Sequence, residues 1–180
     1  DVARSLLLSQ LGGDAESLRR VRSYEAFLDL MALQVRAHLS STPGPDEIIR
    51  ALNAFVFFEM HYRFPPHSRY QAEIDDYTFL ASVLDGREGV CLGVSTLYLC
   101  LAQRLDLKLE PVTPPGHIYL RYSSPTLRIN IETTARGINL PDHVYLGINT
   151  HALPSRKLRE VVGMTHFNQA SIYWRDGDYK

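Results

Sequence analysis

Two short runs of alternating side chains, joined by turn residues, constrain the fold of this chain more than any other segment. In His117-Ile118-Tyr119-Leu120-Arg121-Tyr122, and again in Leu127-Arg128-Ile129-Asn130-Ile131-Glu132, apolar residues fall on every second position. A period of two is that of a strand with one buried face. Between the runs stand Ser123, Ser124, Pro125 and Thr126, all turn formers. The pattern predicts an antiparallel hairpin. If those four residues form the loop, Tyr122 pairs with Leu127 and His117 lies directly opposite Glu132. Opposed residues share a face of the sheet. The same register sets Arg121 against Arg128 and Tyr119 against Asn130, so the outer end of that face needs solvent around two arginines.

A second constraint precedes the hairpin. From Cys91 onward, Val94, Leu97, Tyr98, Leu101 and Leu105 recur at helical spacing. Cys91 is therefore expected in the first turn of a buried helix, where free amides and the positive end of the helix dipole favour a thiolate. Gly89 allows the sharp entry. Cys100, nine residues on, falls on roughly the opposite face and is expected to be a core thiol.

A thiol, an imidazole and a carboxylate, each on its own element, make a nucleophile with a base and an orienting group. Cys91 attacks an acyl carbon. His117 takes or shares the thiol proton and later protonates the leaving group. Glu132 accepts a hydrogen bond from the other imidazole nitrogen and fixes the tautomer. The competing reading is a non-catalytic interaction domain in which the three residues are structural. For the oxyanion, the Cys91 amide is one donor. Asn53, Tyr70, Gln71 and Tyr77 are unranked candidates for the second, and Asp85 is a carboxylate that would repel it.

Composition narrows the partners. The 180 residues carry a formal net charge of −1 with no basic stripe, which argues against nucleic acid. Leu6-Leu7-Leu8 is too short an apolar run for a membrane span. Two cysteines give no disulfide framework, and a reducing, cytoplasmic location follows. His61, His67, His143, His151 and His166 form no metal-ligand spacing, and glycine-rich nucleotide loops are absent. No metal and no cofactor are expected.

The rest reads as helices. Residues 2–11 form a short one closed by Gly12-Gly13, and Asp14 or Ser17 caps a long one to about Ser40. Leu18, Val21, Phe27, Leu28, Leu30, Met31, Val35 and Leu39 are expected to line the long helix. After Pro43-Gly44-Pro45, a third helix carries Ile48, Leu52, Phe55 and Phe58. Residues 61–75 are irregular and are expected to wall a cleft. A shorter helix covers about Asp76 to Leu84, and a strand lies near Leu107 to Val112. Helix resumes after Leu153-Pro154-Ser155.

Val83, Leu84, Arg87, Gly89, Cys91, Ser95, Leu97, Tyr98, Ala102, Arg104, Leu105 and Leu107, followed by Pro115-Gly116-His117, resemble the bacterial branch of the transglutaminase-like superfamily. Upstream, Leu52, Asn53, Val56, Phe57 and Glu59 are similar to a further motif of that branch. The resemblance covers about residues 45–137. It implies a papain-like thiol enzyme with Cys91 as nucleophile, His117 as base and Glu132 where the family more often has Asp. Many members of the branch have Pro in place of the cysteine. The implied fold class is α+β: an N-terminal helical bundle over residues 1–60, packed on a papain- or transglutaminase-like core over about 61–150. That core holds the nucleophile helix and a small antiparallel sheet. The transglutaminase-like domain would then span 1–160, with a C-terminal helix over 161–180. Asn168 to Tyr179 resembles the middle of a tetratricopeptide repeat, which implies an adjoining helical repeat module and a protein or peptide substrate.

Overall fold

A computed structural model describes residues 1–66, 74–146 and 152–177. Helices α1 (Val2–Leu11), α2 (Ala15–Arg36) and α3 (Pro45–Asn53) come first, and a π-helical stretch, Ala54–Glu59, continues α3. Two short helices follow, α4 (Ile74–Thr78) and α5 (Leu80–Gly86), then α6 (Cys91–Arg104). Strands β1 (Glu110–Val112), β2 (Tyr119–Ser123) and β3 (Arg128–Ile131) form one antiparallel sheet in that order. Helix α7 (Leu158–Asp176) closes the described chain. The α+β class read from the sequence is the observed one.

Local chemistry sets the helix ends. The Asp14 carboxylate accepts from the amides of Glu16 and Ser17, which caps α2. Pro45 stands in the first turn of α3, where its missing N–H is harmless. Helix α5 ends on Arg87 in the left-handed region, φ 56°. Phe79, extended at φ −75° and ψ 135°, splits the helix expected over Asp76 to Leu84 into α4 and α5.

Helix α6 is the axis of the molecule. Its residues from Leu92 to Ala102 are all buried, and Leu97, Tyr98, Cys100 and Leu101 have no exposed surface. A helix apolar on every side must be wrapped by others. Helices α1 to α5, the sheet and α7 all pack on it. Cys100 is the core thiol expected of it, and burial pushes its pKa up to about 12.

Two helical expectations need correction. On α2, Val21, Leu28, Met31 and Val35 are buried, whereas Phe27 and Leu30 are exposed at 37% and 53%. The stripe is narrower than the sequence suggested and also takes in Ala32. On the third helix, Phe58 is 56% exposed. The wider turn of the π segment rotates Val56 and Phe57 inward and sends Phe58 out, beneath the Arg136 guanidinium at 5.5 Å.

The hairpin forms, but in a different register. Tyr122 pairs with Ile129 and Ser123 with Arg128, two residues away from the pairing expected. Ser124 is responsible. Its N–H bonds the Leu127 carbonyl at 2.8 Å, and its hydroxyl accepts the Leu127 N–H at 3.0 Å. The strands therefore run on to a two-residue loop of Pro125 and Thr126. A shift of two residues keeps every paired side chain on its face. The strands are shorter than expected, so His117 stands two residues before β2 and Glu132 just after β3, where their side chains meet at the end of the hairpin. The opposed arginines do not occur: Arg121 faces Asn130, 8% exposed and hydrogen-bonded to it at 2.9 Å.

Candidate functional site

Cys91 is the first residue of α6, half-buried, with Val90 as an extended N-cap that offers no side-chain cap. The turn is held from below. The Val90 N–H bonds the Tyr77 carbonyl at 2.9 Å, and Gly93 lies against that same carbonyl. A Cβ on Gly93 would stand 2.2 Å from the Tyr77 oxygen, so this close approach requires glycine.

The structure brings His117 between Cys91 and Glu132. The His117 Nε2 is 2.7 Å from Glu132 Oε2. That contact leaves Nδ1 as the ring nitrogen for the Cys91 thiol, which lines the same two cavities as His117. Interaction with the nearby Cys91 thiol and the hydrogen bond to Glu132 outweigh burial and push the His117 pKa up to about 10. Glu132 is 4% exposed. Burial raises its pKa, but hydrogen bonds from His117 and Thr134 outweigh it and leave the carboxyl below its usual range.

Both oxygens of Glu132 are fully used. Oε1 accepts from the Thr134 amide at 3.0 Å and from the Thr134 hydroxyl at 2.6 Å. Oε2 accepts from the Tyr145 hydroxyl at 2.9 Å as well as from His117. The Tyr145 ring stacks on Tyr119 at 4.0 Å and on His117 at 6.2 Å. Burial and the adjacent carboxylate hold its phenol protonated, so it remains a donor.

Tyr145 is itself placed by a polar cluster. It follows a short turn, Asp142–Val144, and Asp142 Oδ1 accepts from Arg121 Nη2 at 2.6 Å and from Asn130 Nδ2 at 2.7 Å. The sequence reading gave no role to Thr134, Asp142 or Tyr145. Their signal was faint: a threonine two residues beyond the acid, and an acidic-aromatic pair after a proline.

The other residues singled out in the sequence go elsewhere. Asn53 donates to the Gly137 carbonyl at 3.0 Å and accepts from the Tyr98 hydroxyl at 2.9 Å, a structural pin rather than an oxyanion donor. Tyr77 serves through its carbonyl. Asp85 accepts from Tyr24 on α2 at 2.6 Å and lines neither cavity at Cys91. Tyr70, Gln71, His67 and His151 lie outside the described residues. His166 packs against Phe79, with ring centres 5.9 Å apart. Among the described residues no group of three His, Cys, Asp or Glu side chains could hold a metal ion.

Two cavities open onto Cys91 and His117. One, about 550 Å³, is bounded by Phe64, Ile74, Val90 and Thr134. The other, about 480 Å³, runs along Pro114, Pro115 and the face of α7 carrying Glu160, Met164 and Phe167. Part of the 61–75 segment thus walls the cleft as expected. A larger cavity, about 630 Å³, lies between the α2–α3 connection and the end of β2 and includes none of the three residues.

The architecture is that of an α+β protein whose sheet delivers side chains to the start of its central helix. Residues 22–145 match the family model described as the transglutaminase-like superfamily, and the chain belongs to that superfamily. No curated protein and no solved structure matches it. No helix among the described residues is long and apolar enough to cross a membrane.

The ion pair predicts a pH dependence of stability. His117 has its pKa raised from 6.5 to about 10, so its contribution is complete below pH 6.5 and is lost as pH rises through about 10. Glu132 has its pKa lowered from 4.5, so its contribution is present above pH 4.5 and fades as pH falls through its folded value. The stability difference between wild type and His117→Ala, from urea unfolding, should peak between pH 4.5 and 6.5 and shrink towards pH 10. A difference that grows with pH above 6.5 would contradict this assignment.

Proposed function

We propose that the protein is a thiol-dependent enzyme acting on amide bonds of a protein or peptide through a thioester. Hydrolysis and acyl transfer to an amine both fit this chemistry. One observation carries the reading. An imidazole with a raised pKa is held by a buried carboxylate and shares two cavities with a thiol at a helix start. His117 takes or shares the Cys91 thiol proton. The sulfur adds to the carbonyl carbon and the amine leaves with the His117 proton. His117, neutral again, then activates water or an amine against the thioester. Glu132 keeps the ring oriented and stabilises the imidazolium.

A reducing, cytoplasmic setting suits a free thiol in this role. A protein substrate would also suit an adjoining helical repeat module. Helix α7 ends on Gly177 at φ 74°, and Asp178 and Tyr179, the rest of the repeat-like turn, lie outside the described residues.

The competing interaction domain would leave Cys91 an ordinary thiol. Brief treatment with iodoacetamide near neutral pH, read by peptide mass spectrometry, should modify Cys91 at least tenfold faster than Cys100, which is fully buried. His117→Ala should slow the Cys91 reaction. Alkylation of Cys91 no faster than that of a free cysteine, and unchanged by His117→Ala, would favour the interaction domain.

A further inference from the structure

The wall of the cleft opposite the sheet comes from α7, which begins beyond the matched family segment of residues 22–145. Val161 and Thr165 on α7 are buried at 0% and 1% exposure, and Gln169 bonds Asp75 at 2.8 Å, so the helix is anchored along its length. Glu160, Met164, Phe167 and Asn168 share the next face. Of these, Asn168 lines both cavities, together with Cys91 and His117.

The cavity bounded by Phe64 and Ile74 has four polar side chains among its described lining residues: Cys91, His117, Thr134 and Asn168. Cys91 and His117 are the thiol and its base, His117 being held by Glu132, and the Thr134 hydroxyl is given to Glu132. The Asn168 carboxamide is the uncommitted one. Thiol addition to a carbonyl turns the C=O π pair into an oxyanion that needs donors within hydrogen-bond reach.

We propose that Asn168 Nδ2 is the side-chain donor to that oxyanion, beside the amide at the start of α6, so that the C-terminal helix completes the catalytic site. This rests on the thiol reading above. The C–S bond forms as the π pair moves to oxygen. Asn168 bonds the oxygen while it is negative, and collapse restores C=O and expels the leaving group. The carboxamide gives a hydrogen bond and keeps its proton throughout.

The test uses the full chain and two probes of Cys91. p-Nitrophenyl acetate passes through an oxyanion, whereas methyl methanethiosulfonate forms a disulfide without one. Wild type should show a nitrophenolate burst that Cys91→Ala abolishes. Asn168→Ala should slow the burst about 100-fold while leaving the methanethiosulfonate rate and the urea midpoint within a factor of two. Asn168→Asp keeps the shape but loses the donor and should be at least as slow. A normal burst in both Asn168 variants overturns the inference and spares the thiol reading. Equal slowing of both probes also overturns it, since Asn168 would then act by placing the thiol. A wild type with no Cys91-dependent burst overturns the thiol reading and the inference together.

Discussion

Cys91→Ala should give a folded protein without covalent chemistry, and Glu132→Gln should be nearly as damaging for a different reason. The Thr134 N–H cannot turn away from the oxygen it donates to at 3.0 Å. A glutamine at 132 must therefore keep its carbonyl on the Thr134 side. Its NH₂ then points at His117 Nε2 and the Tyr145 hydroxyl, where Oε2 now accepts at 2.7 Å and 2.9 Å. Facing a donor, Nε2 must become an acceptor, and the ring proton moves to Nδ1, the side of the thiol. An imidazole in that tautomer cannot take the thiol proton. The loss should be about 10⁴-fold in acylation rate, comparable with His117→Ala, because members of one proton relay do not lose independently. Burst amplitude and rate with p-nitrophenyl acetate measure it. Glu132→Gln at more than a tenth of wild-type rate would mean that the acid has no part in setting the tautomer.

Gly93→Ala should act on the fold. The new Cβ would meet the Tyr77 carbonyl oxygen at 2.2 Å, the Val83 Cγ2 at 2.9 Å and the Tyr77 carbonyl carbon at 3.1 Å. Two of these atoms are backbone, so α4 and α6 must separate. The same carbonyl holds the Val90 N–H, so separation also frees the turn that presents Cys91. The cost should be about 3 kcal/mol, the upper end for forced overpacking, seen as a lowered urea midpoint. Gly163→Ala is the control. It lies on the exposed side of α7 with nothing within 4 Å, and should be neutral or stabilising by up to about 1 kcal/mol. Equal midpoints for the two variants would show that the α4–α6 approach is looser than the structure has it.

The helical order and the hairpin were legible because each rests on a short-range period. The Cys91 helix repeats its apolar residues over four turns, and the hairpin alternates over six residues on each side. The site survived the error because His117 and Glu132 lie just beyond the same end of the hairpin, which a register wrong by two residues leaves in place. The register itself turned on one hydroxyl, that of Ser124, which a residue-class pattern does not weigh. Phe58 was misplaced because nothing in a heptad-like spacing signals a π turn. Asp142, Tyr145 and Asn168 were invisible for a deeper reason. Each is a single polar or aromatic residue whose position depends on how distant segments dock, and no local period points to it.

The matched family segment begins at residue 22, yet α1 lies outside it and inside the core. Ala3, Leu6 and Leu7 have no exposed surface. The Gln10 side-chain oxygen Oε1 accepts the Leu80 N–H at 3.0 Å, supplying the cap that Phe79 does not. The Val2 N–H in turn bonds the Gln103 side chain at 3.1 Å. Shared ancestry and mechanical integrity therefore have different borders in this molecule. A gene fragment trimmed to residues 22–145 would encode a recognisable relative with an oily slot along α6, an uncapped α5 and no wall on one side of the thiol. An insoluble product from that fragment would say nothing about the thiol chemistry of residues 1–180.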